Sequence, residues 1–250
     1  MPLISVIMPA YNAEKTIATS IESVISQTEH DWELIVIDDC SKDLTTKLVS
    51  EFVALDSRIF LYTNENNLGV AQTRNEGIKR ANGQWLAFLD SDDIWHKEKL
   101  HKQLQLMQTT GAAISYTSTA YMNHEGVPFG YVLQAKRRLY YNDLLKRNLM
   151  SCSSVMVKRE KKPFFVNGDV HEDYVAWLNI LQNEKCAYGL EEPLLTYRLA
   201  YSSRSGNRLR SAKMIYNAYC HVGYGGVASL FLTLRYSIHS ITKRLQIRRS

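Results

Sequence analysis

Apolar, β-branched runs alternate with stretches of helical period along the first ~90 residues. "LISVIM" (3–8) reads as a strand, and Ile17, Ile21, Val24 and Ile25 then recur at helical spacing, with Asn12 available near the N-cap. "ELIVID" (33–38) reads as a second strand, 45–55 as a second helix and "IFLYT" (59–63) as a third strand. The spacing predicts a helix over 70–81 that stops at "ANG", where Asn82 or Gly83 can take the left-handed cap conformation. "WLAFL" (85–89) is a fourth strand. This β-α-β-α-β-α-β order predicts a parallel sheet with helices on both faces.

The polar clusters follow a rule. "PAYN" (9–12) follows the first strand, "DDCSKD" (38–43) ends the second, "NENNLG" (64–69) follows the third and "DSDD" (90–93) follows the fourth. All lie at the carboxyl ends of parallel strands, where open α/β sheets bind ligands. The chain has no GxxxxGK(S/T) phosphate loop and no GxGxxG fingerprint, so ATPase and dehydrogenase readings lose their main support. Asp90 and Asp92, one residue apart, can hold a hard divalent cation and leave positions for phosphate oxygens. The competing reading is an Asp-rich turn that caps the next helix. Asp39 can accept a hydrogen bond from a base N–H, and Tyr11 can supply a stacking face.

Composition narrows the class only a little. With 250 residues, 45% hydrophobic and 22% charged, the chain fits one large domain, or one domain with an appendage. Its N-terminal apolar run breaks at Pro9 and has no basic leader, so it is expected to be a strand and not a signal peptide. Four cysteines without CxxC or zinc spacing are expected to be reduced thiols in a cytoplasmic protein. Charge is more informative: the net +5 hides a C-terminal segment, from Pro193 onward, with ten Lys or Arg and no Asp or Glu. Within it Val227, Leu230, Phe231, Leu234, Ile238, Ile241 and Leu245 form one apolar helical stripe, with Arg235, Lys243, Arg244, Arg248 and Arg249 around it. The stripe is too short to span a bilayer and reads as an interfacial helix. A helix packed on the domain or on a second subunit is the alternative.

"SVIMPAYNAEKTIATSIESVISQT", "ELIVIDDCSKD", "NLGVAQTRNEGIKRANGQWLAFLDSDD" and the later "HEDYVAWL" carry a family resemblance over roughly residues 3–205. Together they resemble the inverting family 2 glycosyltransferases with the GT-A fold. Within that family the chain looks closest to bacterial enzymes of surface-polysaccharide assembly, such as the teichuronic-acid type. The resemblance implies an α/β fold whose Rossmann-like, mostly parallel central sheet is flanked by helices. It implies a catalytic domain over 1–207, with a nucleotide-binding half (1–110) and an acceptor-binding half (111–207). A basic amphipathic helical tail (208–250) follows.

Residue roles follow from the same resemblance. Asp92 resembles the principal metal ligand, and Asp90 and Ser91 the rest of the DxD motif at the nucleotide sugar and metal. The metal is Mn²⁺ or Mg²⁺. Asp39 resembles the uracil-binding carboxylate, whereas Asp38 ends the strand or holds its loop. Pro9, Ala10, Tyr11 and Asn12 would frame the nucleoside. Arg74 resembles the arginine that braces nucleotide and DxD loop, with a helix-surface salt bridge as its alternative. Glu172 and Asp173 open a helix read as amphipathic, with Trp177, Leu178 and Leu181 on its buried side. They can simply complement the macrodipole, but the resemblance makes Asp173 the general base and Glu172 its orienting neighbour. "YRLAYSSRSGNR" (197–208) resembles the segment that closes over donor and acceptor. Many relatives have a histidine where this chain has Ala200 or nearby Leu199, which leaves Arg204 or Arg208 as candidates for the diphosphate.

The expected activity is transfer of a hexose-type sugar, with inversion, from a UDP-linked donor to a hydroxyl of a surface glycan on a lipid diphosphate carrier. The tail would hold the enzyme to the anionic inner face of the plasma membrane. A metal-dependent nucleotidyltransferase is one alternative, but "PAYNAEKT" lacks the Gly-rich, Arg-containing loop of that class. A non-catalytic glycan-binding protein is another, and the joint presence of Asp39, Asp92 and Asp173 argues against it. The basic tail belongs to no recognised nucleic-acid module, so no nucleic-acid partner is expected.

Overall fold

The computed structural model describes residues 2–199 and 208–247. Ala200 and Arg204 lie outside the described residues, and Arg208 is described by its backbone alone.

β1 (Ile4–Ala10), α1 (Ile17–Ile25), β2 (Trp32–Asp38), α2 (Thr45–Leu55), β3 (Ile59–Thr63), α3 (Val70–Arg80) and β4 (Trp85–Phe88) alternate as the pattern predicts. β3, β2, β1 and β4 lie side by side and parallel, with Ala10 beside Asp38, Asp38 beside Thr63 and Ile7 beside Phe88. Their carboxyl ends therefore share one edge. β1, β2 and β4 are buried along their whole length. Ile7, Ile35, Ile37 and Phe88 enter one core, while Val6, Met8, Leu34 and Val36 pack on the other side with Ile17, Ile21 and Val24 of α1. Burial on both faces is why these strands read as continuous apolar runs. Gly77 lets α3 lie close to the sheet: a Cβ there would come within 2.6 Å of Ile7 Cγ2.

The second half comprises β5 (Ile94–Trp95), α4 (Lys99–Thr110), β6 (Ile114–Met122), β7 (Pro128–Leu133), β8 (Arg138–Leu139), α5 (Tyr141–Leu144), β9 (Met156–Lys158), α6 (Glu172–Leu181), β10 (Ala187–Arg198), α7 (Arg208–His221) and α8 (Gly226–Ile247). One mixed sheet runs β3-β2-β1-β4-β9-β6-β10-β5, with β7 on β6 and β8 on β10. β9 is antiparallel to β4 and to β6, while β6 and β10 are parallel. The segment expected as a tail from 208 onward contributes Ile215, Ala218, Tyr219 and Leu232 to the first core, beside Tyr174 and Trp177 of α6.

Three local expectations are corrected. Asn12 does not cap α1: the N-cap is Thr16, and Asn12, at φ 48°, uses its side-chain carbonyl to accept the Lys42 N–H. α3 does not end in a left-handed residue. Ala81 is extended, and the N–H of Asn82 goes to Glu33, which turns the chain straight into β4. α6 is not amphipathic; Tyr174, Val175, Ala176, Trp177, Leu178 and Leu181 are all buried, as befits a helix enclosed by its neighbours.

Candidate active site

The loops after β1 and β2 are tied together before any ligand is considered. Ala13 N–H donates to Thr45 Oγ1 (2.8 Å), Glu14 N–H to Asp43 Oδ2 (3.1 Å) and Asn12 N–H to Ser41 Oγ (2.9 Å). Asp38 accepts the Ser41 N–H and so holds its own loop, as expected. Together with the loops after β3 and β4 they wall a cavity of about 1210 Å³ at the carboxyl edge of the sheet. Pro9 to Asn12, Asp39, Arg74 and Asp90 to Asp92 all line it. Tyr11 also lines it and is exposed.

Asp39 makes contacts that the sequence does not reveal. Its carboxylate accepts from Asn64 Nδ2 (2.9 Å) and from the N–H groups of Leu68 (2.8 Å) and Gly69 (2.8 Å). Gly69, at φ 80°, presents its N–H as the chain enters α3. A carboxylate has about four lone-pair sites, so the loop takes most of them and leaves room for one donor from a ligand.

Arg74 connects two distant acids. It is buried, one Nη donating to Asp90 Oδ1 at 2.5 Å and the other to Glu172 Oε1 at 2.9 Å. Its guanidinium also lies over the Phe165 ring, 5.3 Å from the centroid. This is no helix-surface salt bridge: the fork joins the loop after β4 to the first residue of α6. Burial works against the charge, but the carboxylates of Asp90 and Glu172 hold the guanidinium firmly protonated.

The loop itself is anchored by Asp93, a residue for which the sequence offers no role. Asp93 is fully buried; Ser153 Oγ donates to Oδ2 (2.6 Å) and Arg198 N–H to Oδ1 (3.0 Å). Ser153 Oγ also accepts the Asp90 N–H (3.0 Å), and Arg198 Nε donates to the Asp92 carbonyl (3.0 Å). Arg198, the arginine of the 197–208 motif, lines the cavity with His124, Lys15 and Lys42, three residues to which no motif assigns a role. Burial, then Asp92 and Asp90, push the Asp93 carboxyl well up.

Asp173 does not line the cavity; it reaches the acid loop through its neighbour Glu172 and Arg74. It sits in the first turn of α6, half-buried, with Oδ1 accepting the Tyr174 N–H at 2.8 Å. Burial first, and the Glu172 charge second, raise its pKa to about 7, against the opposing pull of Arg74. A carboxylate poised near neutrality suits a general base.

Among the described residues, no three His, Cys, Asp or Glu side chains form a metal-binding group on their own. A hard cation of Mg²⁺ type needs only one or two carboxylates when substrate phosphates complete its shell. Asp92 meets that demand. It lines the cavity, and burial first, then the Asp90 charge, raise its pKa to about 6 against the pull of Arg198 and Arg74. The donor set therefore fits a divalent cation bound jointly with a diphosphate.

The sequence model of glycosyl transferase family 2 matches residues 5–164. The chain is 36% identical over 247 residues to the putative teichuronic acid biosynthesis glycosyltransferase TuaG of Bacillus subtilis, covering 98% of each chain. It is 39% identical over 243 residues to the UDP-Glc:alpha-D-GlcNAc-diphosphoundecaprenol beta-1,3-glucosyltransferase WfgD of Escherichia coli, covering 96% of this chain and 94% of that one. Among solved structures, S. aureus TarS 1-349 in complex with UDP-GlcNAc shares the fold with a TM-score of 0.74 at 19% identity, over 94% of this chain and 71% of that one. The mannosyltransferase PcManGT of Pyrobaculum calidifontis, in complex with GDP-Man and Mn2+, does so with a TM-score of 0.71 at 15% identity, over 98% and 75%.

Proposed function

The chain belongs to glycosyl transferase family 2, and from that premise we propose that it moves a hexose from a UDP-linked donor, with inversion, onto a hydroxyl of a lipid-diphosphate-linked glycan in cell-surface polysaccharide assembly. The observation that carries this reading is the Arg74 fork between Asp90 and Glu172. It couples a loop suited to a metal diphosphate to the helix that bears a carboxylate of raised pKa.

In this reading Tyr11 stacks on the uracil and Asp39 accepts its N–H. Asp92, with Asp90, would hold Mg²⁺ or Mn²⁺, which would supply positive charge to the departing diphosphate. Lys15, Lys42 and Arg198 add cationic groups around the same cavity. Asp173 removes the proton from the acceptor hydroxyl as that oxygen attacks the anomeric carbon opposite the diphosphate. A single displacement inverts that centre, so an α-linked donor gives a β-linked product. The names of relatives support the substrate class: WfgD is named for UDP-Glc and a diphosphoundecaprenol acceptor, and TuaG for teichuronic acid.

The purified full chain, given a panel of UDP-sugars, Mn²⁺ and a GlcNAc-diphosphate-lipid acceptor, should yield one extended product. Its new linkage, read by the anomeric coupling in proton NMR, should be β. An α linkage overturns the inverting mechanism. UDP-sugar turnover that is equal with and without the acceptor overturns the transferase assignment to this acceptor class.

A further inference from the structure

α8 packs by one face and leaves an apolar face outside. Ser229, Leu232 and Thr233 are buried, and Tyr236 packs against the core. On the opposite face Val227 (87% exposed), Leu230, Phe231 (67%), Leu234 and Ile238 (66%) stand in solvent. Spacings of three and four put all five on one stripe of about 17 Å. In sequence the same spacing continues to Ile241 and Leu245. Five large exposed apolar side chains in a row are a binding surface, not scattered surface hydrophobics.

We propose that this outer face of α8 lies in the surface of an anionic lipid bilayer, parallel to its plane. Charge selects that occupant. No Asp or Glu occurs from Pro193 onward; Arg235 sits on α8, and Lys243 and Arg244 fall in its last two turns by sequence. A second copy brings the same acid-free, basic segment and so offers it no opposite charge, whereas an anionic leaflet does. None of the described helices is long and apolar enough to cross a membrane, which leaves in-plane burial as the mode.

The inner face shows what such docking would accomplish. The Tyr236 ring lies 5.7 Å from that of Tyr174, whose hydroxyl is 3.2 Å from that of Tyr219 on α7. Tyr174 directly follows Asp173. The bilayer-facing helix is thus stacked on the helix that carries the proposed base, so docking would set the height of that base above the lipid surface. This use of the surface rests on the lipid-linked acceptor reading; the docking itself does not.

The test uses the full chain and a variant with Leu230→Asp, Phe231→Asp and Leu234→Asp, all exposed positions. Both are floated with phosphatidylglycerol–phosphatidylcholine vesicles at low and high salt, and both are assayed for UDP-sugar turnover and for transfer to lipid-linked and short-chain water-soluble acceptors. The wild type should float with the mixed vesicles, less so at high salt. The variant's floating fraction should fall roughly tenfold or more, as expected for removing large buried apolar side chains. Its transfer to the lipid-linked acceptor should fall, with transfer to the soluble acceptor retained. Retained turnover shows that the variant is folded. Equal flotation of the two proteins overturns the proposal. So does a wild type that stays unbound but sediments as a dimer which the variant dissociates, because the stripe would then bind a second copy. Flotation lost in the variant, with no transfer to any acceptor by either protein, would leave docking standing and overturn the functional reading instead.

Discussion

The Ser153 hydroxyl donates a 2.6 Å hydrogen bond to Asp93 Oδ2 and accepts the Asp90 N–H at 3.0 Å. One small side chain on the short turn before β9 thereby fixes two residues of the acid loop, while the other Asp93 oxygen receives the Arg198 N–H. The loop after β4 is thus held both by the turn before β9 and by the end of β10.

Ser153→Ala should therefore act at a distance. It strands a buried carboxylate oxygen and a backbone N–H, a loss of about 1–3 kcal/mol, read as a lower urea midpoint at unchanged slope. Metal-dependent UDP affinity should weaken as well, since Asp90 loses its backbone anchor. A variant with wild-type midpoint and wild-type UDP binding would show that Ser153 does not position the loop.

Arg74→Lys keeps the charge and loses the fork. A lysine is a point charge that cannot bridge two carboxylates in the same plane. Transfer should fall by about 10²-fold, the scale set by ~1 Å of misplacement, with UDP affinity reduced far less. Arg74→Leu should instead cost about 3–5 kcal/mol, because two acids lose their buried partner. If Arg74→Lys transfers sugar at the wild-type rate, the bridge is structural only.

Much of this is legible in the sequence, for physical reasons that also explain the rest. β1, β2 and β4 announce themselves because burial on both faces demands unbroken apolar runs. Asp39, Asp90 and Asp92 stand in recognisable strings at strand ends and Arg74 in the first turns of α3, and the structure brings them to one cavity. Ser153 and the anchoring of Asp93 by Ser153 and Arg198 are not legible, since these partners lie 60 and 105 residues from Asp93 and depend on how β9 and β10 pair. Helix ends mislead at Asn12 and Asn82, where long-range partners, Lys42 and Glu33, override the local capping preference. The α8 stripe is visible as a period, but only packing reveals that it faces outward.

Asp92→Ala should abolish the metal dependence of UDP binding. The cavity would keep Asp90, one of whose oxygens is engaged by Arg74, but lose the carboxylate proposed as the principal metal ligand. Calorimetry of UDP with and without Mn²⁺ should give equal, weak affinities for the variant and a clear metal-dependent gain for the wild type. The same gain in both proteins would remove Asp92 from the metal site.

Asp173 governs the expected pH dependence. Its pKa of about 7 comes from burial first and from the Glu172 charge second. A carboxyl must be ionised to accept a proton, so kcat/KM should rise with pH, level off above about 7 and fall tenfold per unit well below it. Asp173→Asn should remove about 10²–10⁴-fold of the transfer rate and flatten that limb, with UDP binding kept. Glu172→Gln gives the sign test. Taking away the neighbouring negative charge, and leaving Arg74 less neutralised, both favour the ionised form of Asp173. The acid limb should then move to lower pH, even though the maximal rate drops because Arg74 holds α6 less firmly. A limb that stays in place, or moves upward, would mean that another group sets it and that Asp173 is not the base.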